Sequence, residues 1–174
     1  MKKLVLSFLM LAFVSMSAMA GSDLTVIQGD KKFMKVAEGN AVVEFVWDGA
    51  KYDNKQPLTE KFGNLEELKN VAWEGFAETF NKKSKKVKIV KDAAGAKYKF
   101  VMQVKNMDQY FKVMGFIPGN ATKVWGTMNV TDLQTGETIA VIEVKEVNGG
   151  ANPSPDGSFS DCFEELAKQI VKLK

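Results

Sequence analysis

The residues predict an α+β domain: a mainly antiparallel sheet of about five strands with two helices packed on one face. Three observations carry this reading. Alternating apolar and polar runs are bunched between two stretches whose apolar residues recur at spacings of three and four. The runs are apolar on one side only, which suits a sheet with helices on one face and water on the other. Segments rich in Gly, Pro, Asn and Asp punctuate them and supply turn chemistry.

In chain order, a leading strand is expected near residues 24–27. "AVVEFVWD" then places Val43, Phe45 and Trp47 on one side of a strand and Val42, Glu44 and Val46 on the other. Residues 48–63 read as a polar loop, with turn residues at Asp48, Gly49, Asp53 and Asn54 and a proline at Pro57. A helix over about 65–80 follows, because Asn64 can cap it and Leu65, Leu68, Ala72, Phe76 and Phe80 form a stripe. "KVKIV" reads as a strand. In "AKYKFVMQVK", Tyr98, Phe100, Met102 and Val104 alternate with Lys97, Lys99, Gln103 and Lys105.

Two more alternating runs, residues 124–130 and 139–147, flank "TDLQTGET", where Asp132 and Gly136 suit a hairpin. The chain closes on a helix in "SFSDCFEELAKQIVKLK", with Ser158 and Asp161 as its cap and Phe159, Phe163, Leu166, Ile170 and Leu173 as its stripe. Lys168, Lys172 and Lys174 suit its carboxyl end.

The opening "MKKLVLSFLMLAFVSMSAMA" has a basic start, an apolar run and an Ala-x-Ala site, so residues 1–20 are expected to be a secretory signal peptide. The exported domain is then residues 21–174, periplasmic or extracellular. No lipid anchor is expected, since Gly21 stands where an anchoring cysteine would. The mature part has no second apolar stretch long enough to span a membrane.

Two absences narrow the chemistry. The chain has no histidine, and all 24 basic residues are lysines. Triads and zinc sites built on histidine are thereby excluded. Without the arginine fork, no nucleic-acid partner is expected. Cys162 is the single cysteine, expected to be a small buried hydrophobe on the last helix. A hydrolase would have only loop carboxylates to work with, namely Asp48, Asp53, Glu60, Asp132 and Glu137. No enzyme activity, cofactor or metal is expected.

The candidate binding residues are apolar or aromatic instead. "YFKVMGFIPG", residues 110–119, sits between two strands and reads as a connection of about sixteen residues, longer than a hairpin needs. Its Tyr110, Phe111, Phe116 and Ile117 either fold onto the core or form a contact surface. Trp125 shares its strand parity with Thr127, Asn129 and Thr131, so it stands on a polar face, as a stacking platform or a protein anchor. That face, with Lys97, Lys99, Gln103, Thr127 and Asn129, is where a partner would dock. The lysines of "NKKSKKVKIVK" form either a solvated edge or a site for an anionic lipid or glycan.

The stretch "AKYKFVMQV", the strand, Asp-x-x-Thr-Gly-Glu turn and returning strand of "VWGTMNVTDLQTGETIAVIEV", and "CFEELAKQIVKLK" together resemble a group of small exported bacterial envelope proteins. More distantly they are similar to the amino-terminal domain of the translocation protein TolB and to the curli-secretion lipoprotein CsgG. The resemblance implies a small periplasmic α/β domain that acts as a scaffold or assembly accessory, and it brings no catalytic residues. The expectation is therefore a non-catalytic domain that binds a protein of the cell envelope, with a carbohydrate or lipid-headgroup binding module as the alternative.

Overall fold

The computed structural model of the protein describes residues 23–114 and 117–173, with the side chains of 112–118 outside that description. The predicted signal peptide lies outside it too. In chain order the elements are β1 (Leu24–Gly29), α1 (Phe33–Val36), β2 (Gly39–Val46), β3 (Lys51–Tyr52), β4 (Gln56–Pro57), α2 (Leu58–Phe62) and α3 (Leu65–Lys83). They continue with β5 (Val87–Ile89), β6 (Tyr98–Met114), β7 (Ile117–Asp132), β8 (Thr138–Asn148) and α4 (Pro155–Val171).

The mixed α/β character agrees with the expectation, but the sheet is larger and less antiparallel. It has eight strands in the order β1-β8-β7-β6-β2-β5, with β3 paired to β6 and β4 to β3. β2 runs parallel to both β5 and β6, and β3 runs parallel to β6. The cause is the crossover through α3, which carries the chain back to the end of the sheet where β2 began. β3 and β4 were invisible to pattern because two residues cannot show a period.

α3 and α4 share one face. Phe45 of β2 meets Phe76 of α3 at 5.7 Å and Phe163 of α4 at 4.8 Å between ring centroids, both edge to face. Phe80 meets Phe100 of β6 at 5.9 Å, and Trp47 stacks on Phe159. Burying one such ring is worth about 1.5–3 kcal/mol, so this aromatic layer dominates the core. The helices approach closely at Gly75, where a Cβ would stand 2.8 Å from Ser160 Oγ. The α4 cap is Ser154 rather than Ser158: its side chain accepts from Gly157 N, and Pro155 opens the helix.

Where a loop of sixteen residues was expected, β6 and β7 instead stay paired from Tyr98↔Asp132 to Met114↔Ile117. They form one long hairpin, whose part beyond the bulges described next is called the arm. Midway, both neighbours of β7 carry an extra residue while β7 runs straight. Val104 pairs with Gly126 and Asn106 with Trp125, so Lys105 is extra in β6. Val144 pairs with Gly126 and Val147 with Val124, so β8 also gains one, where Glu146 adopts φ of 51°. Such bulges bend a sheet and reset which side chains face the core. Burial follows the reset: Val104 and then Met107 are buried in β6, Val144 and then Val147 in β8.

Candidate binding site

The arm has two faces, set by register beyond the bulges. On the helix side lie Met107, Gln109 and Phe111 of β6, with Val124, Thr122 and Asn120 of β7 as their partners. Gln109 Nε2 donates to the Pro155 carbonyl at 3.0 Å, and Thr122 Oγ1 lies 2.7 Å from Ser158 Oγ in a buried contact. Asn120 and Asn152 exchange backbone hydrogen bonds of 2.7 and 2.8 Å. The base of the arm is thus fixed to α4 and to the loop before it. Phe111 is level with Asn120, the outermost of these ties, and is 69% exposed.

On the outer side lie Asn106, Asp108 and Tyr110 of β6, with Trp125, Lys123 and Ala121 of β7 opposite them. Asn148 of β8 joins this row as the partner of Lys123. The Tyr110 hydroxyl accepts from Asn148 Nδ2 at 2.9 Å, and Lys123 Nζ sits 5.0 Å from the Tyr110 ring centroid. Lys123 is also paired with Glu146, and that hydrogen bond holds the ammonium pKa above its ordinary value. Tyr110 is therefore held at its hydroxyl by Asn148 and at its ring by Lys123. Trp125 is half-buried farther along the row, level with Asn106.

Two polar groups here lack a hydrogen-bond partner among the described residues, although Asp108 lies in the field of Lys123 and Lys55. Among the described residues, no side chain or backbone group donates to the half-buried Asp108 carboxylate. The Asn106 side chain accepts from Asn54 N at 2.7 Å, but its Nδ2 is buried with no acceptor. A buried amide left in that state costs about 1–3 kcal/mol.

The expected site residues thus divide. Tyr110 and Trp125 come together on the outer face, Phe111 stands on the opposite one, and Phe116 and the Ile117 side chain lie outside the described residues. Tyr110 and Phe111 are neighbours in a strand, so they point opposite ways, which a loop reading left open. Asn106, Asp108 and Asn148 went unnoticed. The signal for Asn106 and Asp108 was the alternation in "NMDQY", hidden by the bulge at Lys105.

The lysine cluster does not join this site. It lies around β5, at the edge of the sheet beyond β2, with Lys86 paired to Glu38 at 2.7 Å and Lys88 Nζ donating to the Asn81 and Ser84 carbonyls. The polar sheet face is also engaged with itself: Lys99 pairs with Glu44 at 2.7 Å and Gln103 Nε2 donates to the Asp48 carbonyl. A cavity of about 500 Å³ opens beside the end of β2 over Trp47, Leu65 and Pro57. Of its charged walls, Glu44 is held by Lys99 and Lys69 by Glu66.

The loop carboxylates do not converge. Asp48 follows the end of β2 level with Gln103, while Asp132 pairs with Tyr98, five residues back along β6 and so about 17 Å away. Asp53 is paired with Lys55. Among the described residues, no three Cys, Asp or Glu side chains are placed to hold a metal ion, and no helix is long and apolar enough to cross a membrane.

No protein-family model matches the sequence, and no curated protein matches it. Solved structures are similar in outline. A PelC dodecamer from Paraburkholderia phytofirmans aligns with 87% of this chain and 98% of its own, at 15% identity and a TM-score of 0.48. A neuraminyllactose-binding hemagglutinin homolog from Helicobacter pylori aligns with 78% of this chain and 84% of its own, at 12% identity and a TM-score of 0.37. With both scores under one half, the functional reading rests on the residues of this chain alone.

Proposed function

We propose that this chain is a non-catalytic binding module of the bacterial cell envelope that engages a protein partner through the β6–β7 arm. The observation that carries the reading is Phe111, 69% exposed on a strand pair that Gln109 and Thr122 fix to α4 and Asn120 fixes to the loop before it. A large apolar side chain held out on a rigid element loses little freedom when a partner covers it. The signal-like first twenty residues and the resemblance to small exported envelope proteins support the envelope as its place. On this reading the protein is exported and is periplasmic or extracellular.

Two experiments test this. Amino-terminal sequencing of the protein from fractionated cells is expected to begin at Gly21, and recovery of the intact precursor in the cytoplasm would overturn the export. A photo-crosslinking phenylalanine at position 111 is expected to capture one envelope protein in living cells. The same probe at Glu137, in the exposed turn at the other end of the sheet, captures none. Equal yields from the two positions would overturn the arm as the contact.

A further inference from the structure

We infer that the outer face of the arm is a glycan subsite, with Trp125 and Tyr110 as stacking platforms and the Asp108 carboxylate between them as hydrogen-bond acceptor for sugar hydroxyls. This stands apart from the protein contact, because Phe111 belongs to the opposite face.

Sugar rings present apolar CH faces that lie on aromatic rings and hydroxyl edges that need both donors and acceptors. The row supplies each. Trp125 and Tyr110 share the face and are set about 13 Å apart along β7, from Trp125 to the partner of Tyr110 at Ala121. Midway between them is Asp108, whose register partner Lys123 is paired instead with Glu146. The Tyr110 oxygen accepts from Asn148, which leaves its own proton to donate. Its ring is fixed before any ligand arrives.

Charge selects the class. Lys123 is offset by Glu146, and the remaining formal charge in the row is the Asp108 carboxylate, which lies in the field of Lys123 and Lys55 but accepts no hydrogen bond among the described residues. A carboxylate accepts strong hydrogen bonds from vicinal hydroxyls and repels phosphate or sulfate. The fitting ligand is a neutral, hydroxyl-rich oligosaccharide, and an anionic lipid headgroup does not fit. The lysines that would favour such a headgroup lie around β5, away from this face.

The test titrates the purified protein with maltohexaose, cellohexaose and chitohexaose, following tryptophan fluorescence and amide NMR shifts. Saturable binding of at least one of them is expected, with shifts at Asn106, Asp108, Tyr110, Lys123 and Trp125. Trp125→Ala and Asp108→Asn are each expected to weaken it about tenfold or more, Trp125→Phe to restore much of it, and Phe111→Ser to leave it unchanged. Asp108→Asn is isosteric at a side chain that accepts no hydrogen bond among the described residues, so it decides the matter if Trp125→Ala melts early. No saturable binding to any of the three overturns the inference. So does unchanged affinity in Asp108→Asn, loss of affinity in Phe111→Ser, or binding confined to phosphatidylglycerol vesicles and abolished by salt.

Discussion

Thr122 of β7 and Ser158 of α4 share a hydrogen bond of 2.7 Å in a site closed to solvent. The Gln109 amide nitrogen lies 3.4 and 3.3 Å from the two hydroxyls, so strand pair and helix meet in one small polar cluster. Thr122→Val keeps the volume and removes the hydroxyl, and is expected to lower stability by about 1–2 kcal/mol. Adding Ser158→Ala is expected to cost less than the sum of the two single changes, which urea unfolding of all four proteins would measure. Strict additivity would mean that the pair is not coupled.

Gly75 is an interior helix glycine, and alanine there would ordinarily gain about 1 kcal/mol. Here the added carbon would stand 2.8 Å from Ser160 Oγ and 3.0 Å from its carbonyl oxygen. Gly75→Ala is therefore expected to destabilise by about 1–3 kcal/mol through overpacking. A melting temperature at or above that of the parent would show that α3 and α4 part without strain.

Cys162 is fully buried and its thiol lies 3.1 Å from the Val147 carbonyl, to which it donates. Burial pushes its pKa far up. In the folded protein the thiol is expected to resist a disulfide reagent at pH 8 and to react at once in denaturant. The sign for stability follows: above pH about 8.5 the unfolded chain releases this proton and the folded one keeps it. Stability then falls as pH rises, by up to about 1.4 kcal/mol per pH unit from this group. Cys162→Ala should flatten that slope between pH 8.5 and 10.

Phe111 and Phe100 belong to the same strand and should answer oppositely to truncation. Phe111→Ser is expected to change stability by less than about 0.5 kcal/mol, because its ring is largely in water. Phe100→Ala, removing a ring packed between Phe33 and Phe80, is expected to cost about 3–5 kcal/mol. Chemical unfolding of the two variants beside the parent checks both.

The strands on either side of the helix α3 were legible in the sequence because one face of each is sealed against helices. Tyr98, Phe100, Met102 and Val104 alternate with lysines for that reason, and all four are buried. Asn64 was also legible, and its side chain accepts from Glu66 N as a cap does. What failed was reading past Lys105. An extra residue breaks the period of two, and Pro118, Gly119 and Asn120 look like turn residues although they stay paired in β7. Gly119 is there because a Cβ would strike the Asn152 backbone at 2.7 Å, a reason of close approach and not of turning. The parallel pairing of β2 was equally hidden, since direction in a sheet depends on where the chain re-enters it.

The bulge at Lys105 has a consequence for inheritance. A strand counts its residues in twos, and the extra residue is what puts Val104 and Met107, three apart, on the same buried face. Deleting Lys105 would remove the bulge, bring Val104, Asn106 and Met107 into unbroken alternation, and leave Asp108 and Tyr110 outside with Gln109 and Phe111 still toward α4. Descendants of this sequence can vary the chemistry of either face by substitution, and can lose this residue without exchanging the faces. A single residue gained or lost between Asn106 and Phe111 would exchange them for everything beyond.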